Sequence, residues 1–304
     1  CVLPLFVLVV CEGILRLAGF GQTHKLFVTA PELPQGAVVV NPFFYARYFP
    51  LRYRDAFSQW SHWKQPVKNS KPLDSYRIFA FGGSVALGDV PDIAFNFTRI
   101  LECMLQEAFP DISFDLYNLA FPVLNSHVMR LAAHEAAQKQ PDLFVVYMGN
   151  NEYGGPFGPA WYADGWPSHI RFVKFQLSLR RLRLVQALDR LVPKSEWVMS
   201  EDEEQWFKTA PRLHYDAPER KAMYANFAYN LDAICQYGVT ANAGVVLCTV
   251  GNNLRDMPPF SSLHRAGLSE IELRHWREQY AAAASICENA DVMSSQEVKS
   301  AIEH

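Results

Sequence analysis

The sequence predicts an α/β fold, a parallel sheet with helices packed on both faces. Three observations predict it. Four short apolar runs, at residues 77–81, 114–118, 143–148 and 245–250, read as buried strands. Segments of helical periodicity separate them, as the crossovers of a parallel sheet require. Each run ends in small or polar residues, where an open sheet places its ligand crevice.

The chain has 304 residues, half of them hydrophobic, enough for one large domain or two small ones. Its formal charge of −3 gives no sign of a nucleic-acid partner. Residues 1–21 open with an almost wholly apolar run, Cys1 to Cys11, broken by Glu12 and resumed by Ile14, Leu15 and Leu17. A spanning helix needs about 20 apolar residues. Because the first residue is Cys and not Met, the run is expected to be the later part of a membrane anchor. A signal-peptide core or a buried helix is the alternative, and the signal peptide is disfavoured because no small-residue cleavage site follows. The six cysteines show no Cys-x-x-Cys spacing, which argues against a zinc ribbon. Cys103, Cys235 and Cys248 fall in apolar segments and are expected as buried thiols.

Residues 22–75 form an arm dense in proline and aromatics, among them Phe43, Phe44, Tyr45, Tyr48 and Phe49. Proline at that density blocks long helices and central strands, so the arm is expected to be irregular. Its aromatics need burial, so it should pack on the main domain. That domain is placed at residues 76–268. Its first helix is expected from Phe95 to Ala108, presenting Phe97, Ile100, Leu101, Met104 and Leu105, and its second from Ser126 to Gln140. An insertion at 153–244 carries one long helix rich in Arg and Leu, Ile170 to Leu191, and another at Ala217 to Tyr237. Residues 269–304 hold a last helix, the possible start of a helical-repeat region.

The first strand runs into Gly82-Gly83-Ser84. The glycines permit a sharp turn with backbone angles closed to other residues. Ser84 then stands at a strand end with the free amides of a following helix beside it. Hydroxyl and donors together suit attack on a carbonyl and capture of the oxyanion. A phosphate loop is excluded because Asp89 stands where lysine is needed. Asn118-Leu119-Ala120 follows the second strand, Gly149-Asn150-Asn151-Glu152 the third, and Gly251-Asn252-Asn253-Leu254-Arg255-Asp256 the fourth. In a parallel sheet these ends converge.

These blocks resemble the SGNH (GDSL-like) hydrolase family, over residues 76–256. The resemblance implies a three-layer αβα, flavodoxin-like parallel sheet of order 2-1-3-4 that here lacks its last strand. It implies ester hydrolysis without metal or cofactor. Ser84 is then the nucleophile, the Ala120 amide an oxyanion donor in place of the family's glycine, and Asn151 the side-chain donor. The family's closing Asp-x-x-His is absent, since no Asp here has His three residues later. The chain is therefore expected to be truncated before its base, and it resembles a membrane-anchored subset with helical repeats before the last block. His264, His275 (three residues after Glu272), Asn253 and Asp256 remain as in-chain possibilities for the base or pocket. The expected protein is an esterase of small-molecule, glycan or lipid esters, anchored at a membrane with its domain outside the cytoplasm. The alternative is a non-catalytic binding or scaffold module. Oligomeric state is not legible.

Overall fold

The strands run from two to eight residues and the helices from four to 23. The computed structural model describes them over residues 2–30, 33, 36–49, 66–88, 95–160, 170–191, 212–214, 216–251, 264 and 267–289. The chain divides into units of residues 1–260 and 261–304. The first begins with helix α1, Val2–Leu17, then β1, Phe27–Val28, β2, Ala37–Val40, α2, Pro42–Ala46, and β3, Val67–Lys68. Next come β4, Ser75–Gly82, the one-turn helix α3, Ser84–Leu87, α4, Phe97–Ala108, β5, Ser113–Asn118, and α5, Ser126–Ala136. After β6, Leu143–Tyr147, come α6, Ile170–Leu179, α7, Arg183–Asp189, α8, Pro218–Thr240, and β7, Gly244–Cys248. The second unit holds α9, Glu270–Asn289.

The main sheet has the order β5-β4-β6-β7, and every pair is parallel. This is the 2-1-3-4 arrangement expected. Alternation along β4 explains the layers. Ile78 and Ala80 face one way and cluster with Leu116, Val145 and the α4 residues Leu101 and Leu105. Phe79 and Phe81 face the other way, against Phe144, Val146, the α5 residues Val128, Met129 and Ala132, and Ile234 of α8. Helices therefore cover both faces. On α4 the packed stripe is Phe97, Leu101 and Leu105, whereas Ile100 and Met104 are exposed, contrary to expectation. Asn96 caps this helix by accepting from Arg99 N at 3.0 Å. β7 is an edge strand, with Val246 and Leu247 about half exposed.

The described part of the arm is more regular than its prolines suggest. β1, β2 and β3 form an antiparallel sheet in the order β1-β2-β3, of strands two to four residues long. Proline bounds these elements without interrupting them, and Pro42 opens α2 behind its cap Asn41. Phe44, Tyr45, Tyr48 and Phe49 are buried in the main core, as their apolar area demands. The expected helix from Ile170 to Leu191 is two helices, broken at 180–182. The Glu12 carboxylate accepts from Arg183 N at 3.0 Å and Leu184 N at 2.9 Å, which starts a new helix there. Cys103 is exposed, and Cys235 and Cys248 are half-buried, Cys248 packing against the Ile78 and Ala80 face of the sheet.

Below the sheet, Arg77 is fully buried and donates to Lys139 O at 2.7 Å and to Asp115 Oδ2 at 3.3 Å. Asp115 also accepts from Lys68 Nζ at 2.9 Å, tying the arm's β3 to β5. Breaking a buried pair leaves an uncompensated charge and costs about 3–5 kcal/mol, while an apolar replacement of both partners is often neutral. Urea unfolding should therefore show Asp115→Ala losing about 3 kcal/mol, and Arg77→Met with Asp115→Leu recovering most of it. Equal losses in both variants would show that the arginine does not depend on its partner.

Candidate active site

Two glycines shape the turn after β4, through space and not through backbone angle. Gly83 has φ −94° and ψ −153°, ordinary extended geometry. A Cβ on Gly82, however, would lie 2.2 Å from the Tyr147 carbonyl oxygen and 2.3 Å from the Ala86 Cβ. A Cβ on Gly83 would lie 2.4 Å from Asn151 Nδ2. The sequence expectation of forbidden backbone angles is thus corrected: the requirement is close approach of the neighbouring strand and its loop. Positive φ appears one turn later, at Gly88 (φ 85°), which ends α3. The helix expected to follow the glycine turn is consequently a single turn.

Ser84 is the first residue of that turn and is half-buried. Its carbonyl accepts from Gly88 N and that of Gly83 from Leu87 N, each at 2.9 Å. The amides of Ser84, Val85 and Ala86 precede the first bonded turn, so they have no partner within the helix.

Asn118 binds the other side of the turn. Its Nδ2 donates to Ala86 O at 3.0 Å and to Thr98 Oγ1 at 3.4 Å. Its Oδ1 accepts from the Ala120 amide at 3.0 Å. Leu119 N donates to Ala80 O and Phe121 N to Gly82 O, which carries the post-β5 loop alongside the Gly82–Ser84 turn. From behind, Tyr45 of the arm donates its hydroxyl to Leu119 O at 2.8 Å and packs its ring 4.7 Å from Phe121. Ala120 is fully buried. Its amide, expected as a free oxyanion donor, is engaged by Asn118 in this structure.

Asn151 completes the grouping. Its Nδ2 donates to Leu124 O at 3.0 Å and sits where a Gly83 side chain would be. The loops after β4, β5 and β6 therefore meet at one carboxamide, beside the serine.

Sequence reasoning quoted Glu152 within a block but gave it no role, and it gave none to Asn230. Both lie at the centre of a buried polar network. Glu152 accepts from Ser126 N at 2.8 Å and from Ser126 Oγ at 2.7 Å, at the start of α5. Asn230 of α8 donates to Ser126 Oγ at 3.0 Å, accepts from Arg130 Nε at 3.0 Å and lies 3.1 Å from His127 Nδ1. Burial pushes the Glu152 carboxyl up to about 7, against its two bonds from Ser126. Burial, helped by Arg130, pushes the His127 ring down to about 4. A buried polar residue on a helix has no periodic signal, which is why Asn230 was not legible.

Three further histidines are placed as follows. His134 packs its ring on Tyr237, and the neighbouring Glu135 accepts from Leu26 N at 2.6 Å, holding the arm. In the second unit, His264 stacks edge-on against Trp276 at 4.4 Å, and His275 is exposed on α9. Glu272, expected as a partner for His275, accepts from Ser269 N and Oγ, each at 2.8 Å, in a capping box. Asn253 and Asp256 lie outside the described residues. Among the described residues of the first unit, no histidine is hydrogen-bonded to Ser84, and among all described residues no cluster of three His, Cys, Asp or Glu can hold a metal and no helix is long and apolar enough to cross a membrane.

No family model and no curated protein matches the chain. Among solved structures it is similar to TesA, at 14% identity over 60% of this chain and 66% of that one, with a TM-score of 0.33. It is also similar to a single-residue variant of Axe2, an acetyl xylan esterase from Geobacillus stearothermophilus, at 15% identity over 56% of this chain and 75% of that one, TM-score 0.28. AlinE4, an SGNH-hydrolase family esterase, matches at 16% identity over 71% of this chain and 97% of that one, TM-score 0.27. The overlap is loose at these scores, and function has to be read from the site itself.

The buried network makes stability depend on pH in two opposed ways. Glu152 holds its proton more tightly folded than unfolded, so its contribution falls as pH rises from about 4.5 to about 7. His127 does the reverse, contributing more as pH rises from about 4 to about 6.5. Glu152→Gln removes the first slope. Denaturant unfolding should show the variant gaining on the wild type by about 3 kcal/mol between pH 4.5 and 7. A difference that stays flat across that range would place the Glu152 carboxyl in water.

Proposed function

We propose that the chain is a serine ester hydrolase of the SGNH type, acting on ester-linked acyl groups of small molecules, envelope glycans or lipids. The observation that supports this most is the Asn151 carboxamide lodged against Gly83, one residue from Ser84. It puts a side-chain donor beside the only position where the turn offers a hydroxyl. The Ser84 Oγ attacks the acyl carbon and gives its proton to a base. The developing oxyanion takes the Asn151 Nδ2 donor from Leu124 O and, when the Asn118 bond opens, the Ala120 amide. The alcohol departs with the proton, and water releases the acyl group from Ser84. The N-terminal helix anchors the domain at a membrane, outside the cytoplasm, in the same reading.

A second reading, a binding or scaffold module with a hydrolase-like shell, is favoured by one observation. The Ala120 amide is occupied by Asn118.

Imidazole supplied in solution separates the two, because it stands in for the base. Hydrolysis of a short-chain aryl ester should contain a component that rises with imidazole and disappears in Ser84→Ala. Asn151→Ala should lower that component on the order of 100-fold. Identical rates for wild type and Ser84→Ala at every imidazole concentration would overturn the hydrolase and leave the module.

A further inference from the structure

Helix α1 is apolar on every side and exposed on every side over its first half. Leu3, Val7, Val10 and Ile14 fall on one face at 3.6 residues per turn, Phe6 and Leu17 flank it, and Leu8 and Val9 point elsewhere. All eight are exposed, Leu3 at 73% and Leu17 at 92%. A folded protein partner covers one stripe of a helix. A helix apolar all round belongs in a core or in lipid. Residues 2–11 rise about 15 Å, half of the roughly 30 Å hydrocarbon thickness of a bilayer.

The apolar run stops at Glu12, and the carboxylate there is held by α7. Besides the Arg183 and Leu184 amides, it accepts from Arg16 Nε at 2.7 Å. The joint continues with Gln22 N donating to Gln186 Oε1 at 2.8 Å, Arg183 Nη1 donating to Gln22 O, and the Arg190 guanidinium 4.5 Å above the Phe20 ring. α7 is thus fixed at the depth where the apolar stretch ends. It carries an exposed Leu188, and Leu191 just beyond it is 78% exposed. Segments 12–25 and 180–191 hold six basic residues, Arg16, Lys25, Arg180, Arg181, Arg183 and Arg190, against Glu12 and Asp189, a local charge of +4. The whole chain is −3, so everything else sums to −7. The positive charge is therefore concentrated where the apolar helix leaves the body.

We propose that α1 and α7 together form a seat on an anionic lipid bilayer, residues 2–11 entering the acyl region and α7 lying at headgroup level with Leu188 and Leu191 toward the lipid. This rests on the anchor reading above and adds the second helix, the depth and the lipid charge. Anionic headgroups attract basic residues placed at the surface, and salt screens that attraction.

The test is co-sedimentation of the 304-residue chain with vesicles of phosphatidylcholine alone or with a third phosphatidylserine. Binding should be stronger to the anionic vesicles, and raising salt from about 0.1 to about 0.5 M should erase the preference. Arg16→Gln with Arg190→Gln should weaken anionic binding roughly 20-fold and leave neutral binding unchanged. Leu188→Ser with Leu191→Ser should weaken both. The salt series needs no variant, so a folding defect in the variants does not leave the proposal standing. Equal, salt-independent binding to both vesicles would overturn the seat while keeping the anchor. Absence of binding to either, or a soluble dimer that Leu8→Glu dissolves, would overturn both.

Discussion

The site depends on a space that the turn leaves free of its own side chains. Gly83 has no side chain, and the Asn151 carboxamide occupies the volume one would fill. Gly82 plays the same part against the Tyr147 carbonyl at the end of β6. Because β4 and β6 are neighbours in register, Gly82 opposite Tyr147, the two loops leave the sheet side by side. A Cβ at Gly82 would push the end of β6 away, and one at Gly83 would displace the Asn151 carboxamide from its place beside the serine. The parallel sheet, the glycine pair and the asparagine are therefore one construction, and the chemistry proposed for Ser84 follows from it.

Around that contact, polar side chains do the fastening. Asn118 reaches from β5 to the one-turn helix and to α4, while Glu152 reaches from the post-β6 loop to the start of α5. Tyr45 of the arm and Ser126 of α5 hold the same loops from the core side. Such bonds are worth more in a buried setting and costly when half-made. They explain why an arm of two- to four-residue strands is kept: it closes the core behind the post-β5 loop. A site positioned this way tolerates change at its rim better than at Asn118 or Glu152.

The four parallel strands were legible because the signal is local, apolar runs such as 77–81 and 143–148 separated by helical patterns, and their order followed from the family resemblance. The meeting of the loops after β4 and β6 was legible because strand ends converge, while the choice of Asn151 within its loop followed from the family resemblance. What was not legible depends on distant partners. The break between α6 and α7 comes from Glu12, 171 residues away from Arg183, and no periodicity in 170–191 announces it. The capture of the Ala120 amide by Asn118 is a side-chain choice within a loop, invisible to spacing. Ile100 and Met104 share helical spacing with Leu101 and Leu105, but the sheet face is narrow enough to cover one stripe. The role of Glu12 shows the gain from the structure most clearly: in sequence it interrupts an apolar run, and in the fold it caps a second helix.

The account stands on Asn151 serving the charge that develops on a carbonyl attacked by Ser84. A crystal structure of the chain after reaction with a small fluorophosphonate, with imidazole supplied, measures this directly, because the phosphonyl oxygen occupies the oxyanion position. The account predicts phosphorus bonded to Ser84 Oγ and the phosphonyl oxygen about 3 Å from Asn151 Nδ2, released from Leu124 O. A phosphonylated Ser84 whose oxygen points to water, with Asn151 still bonded to Leu124, would contradict it.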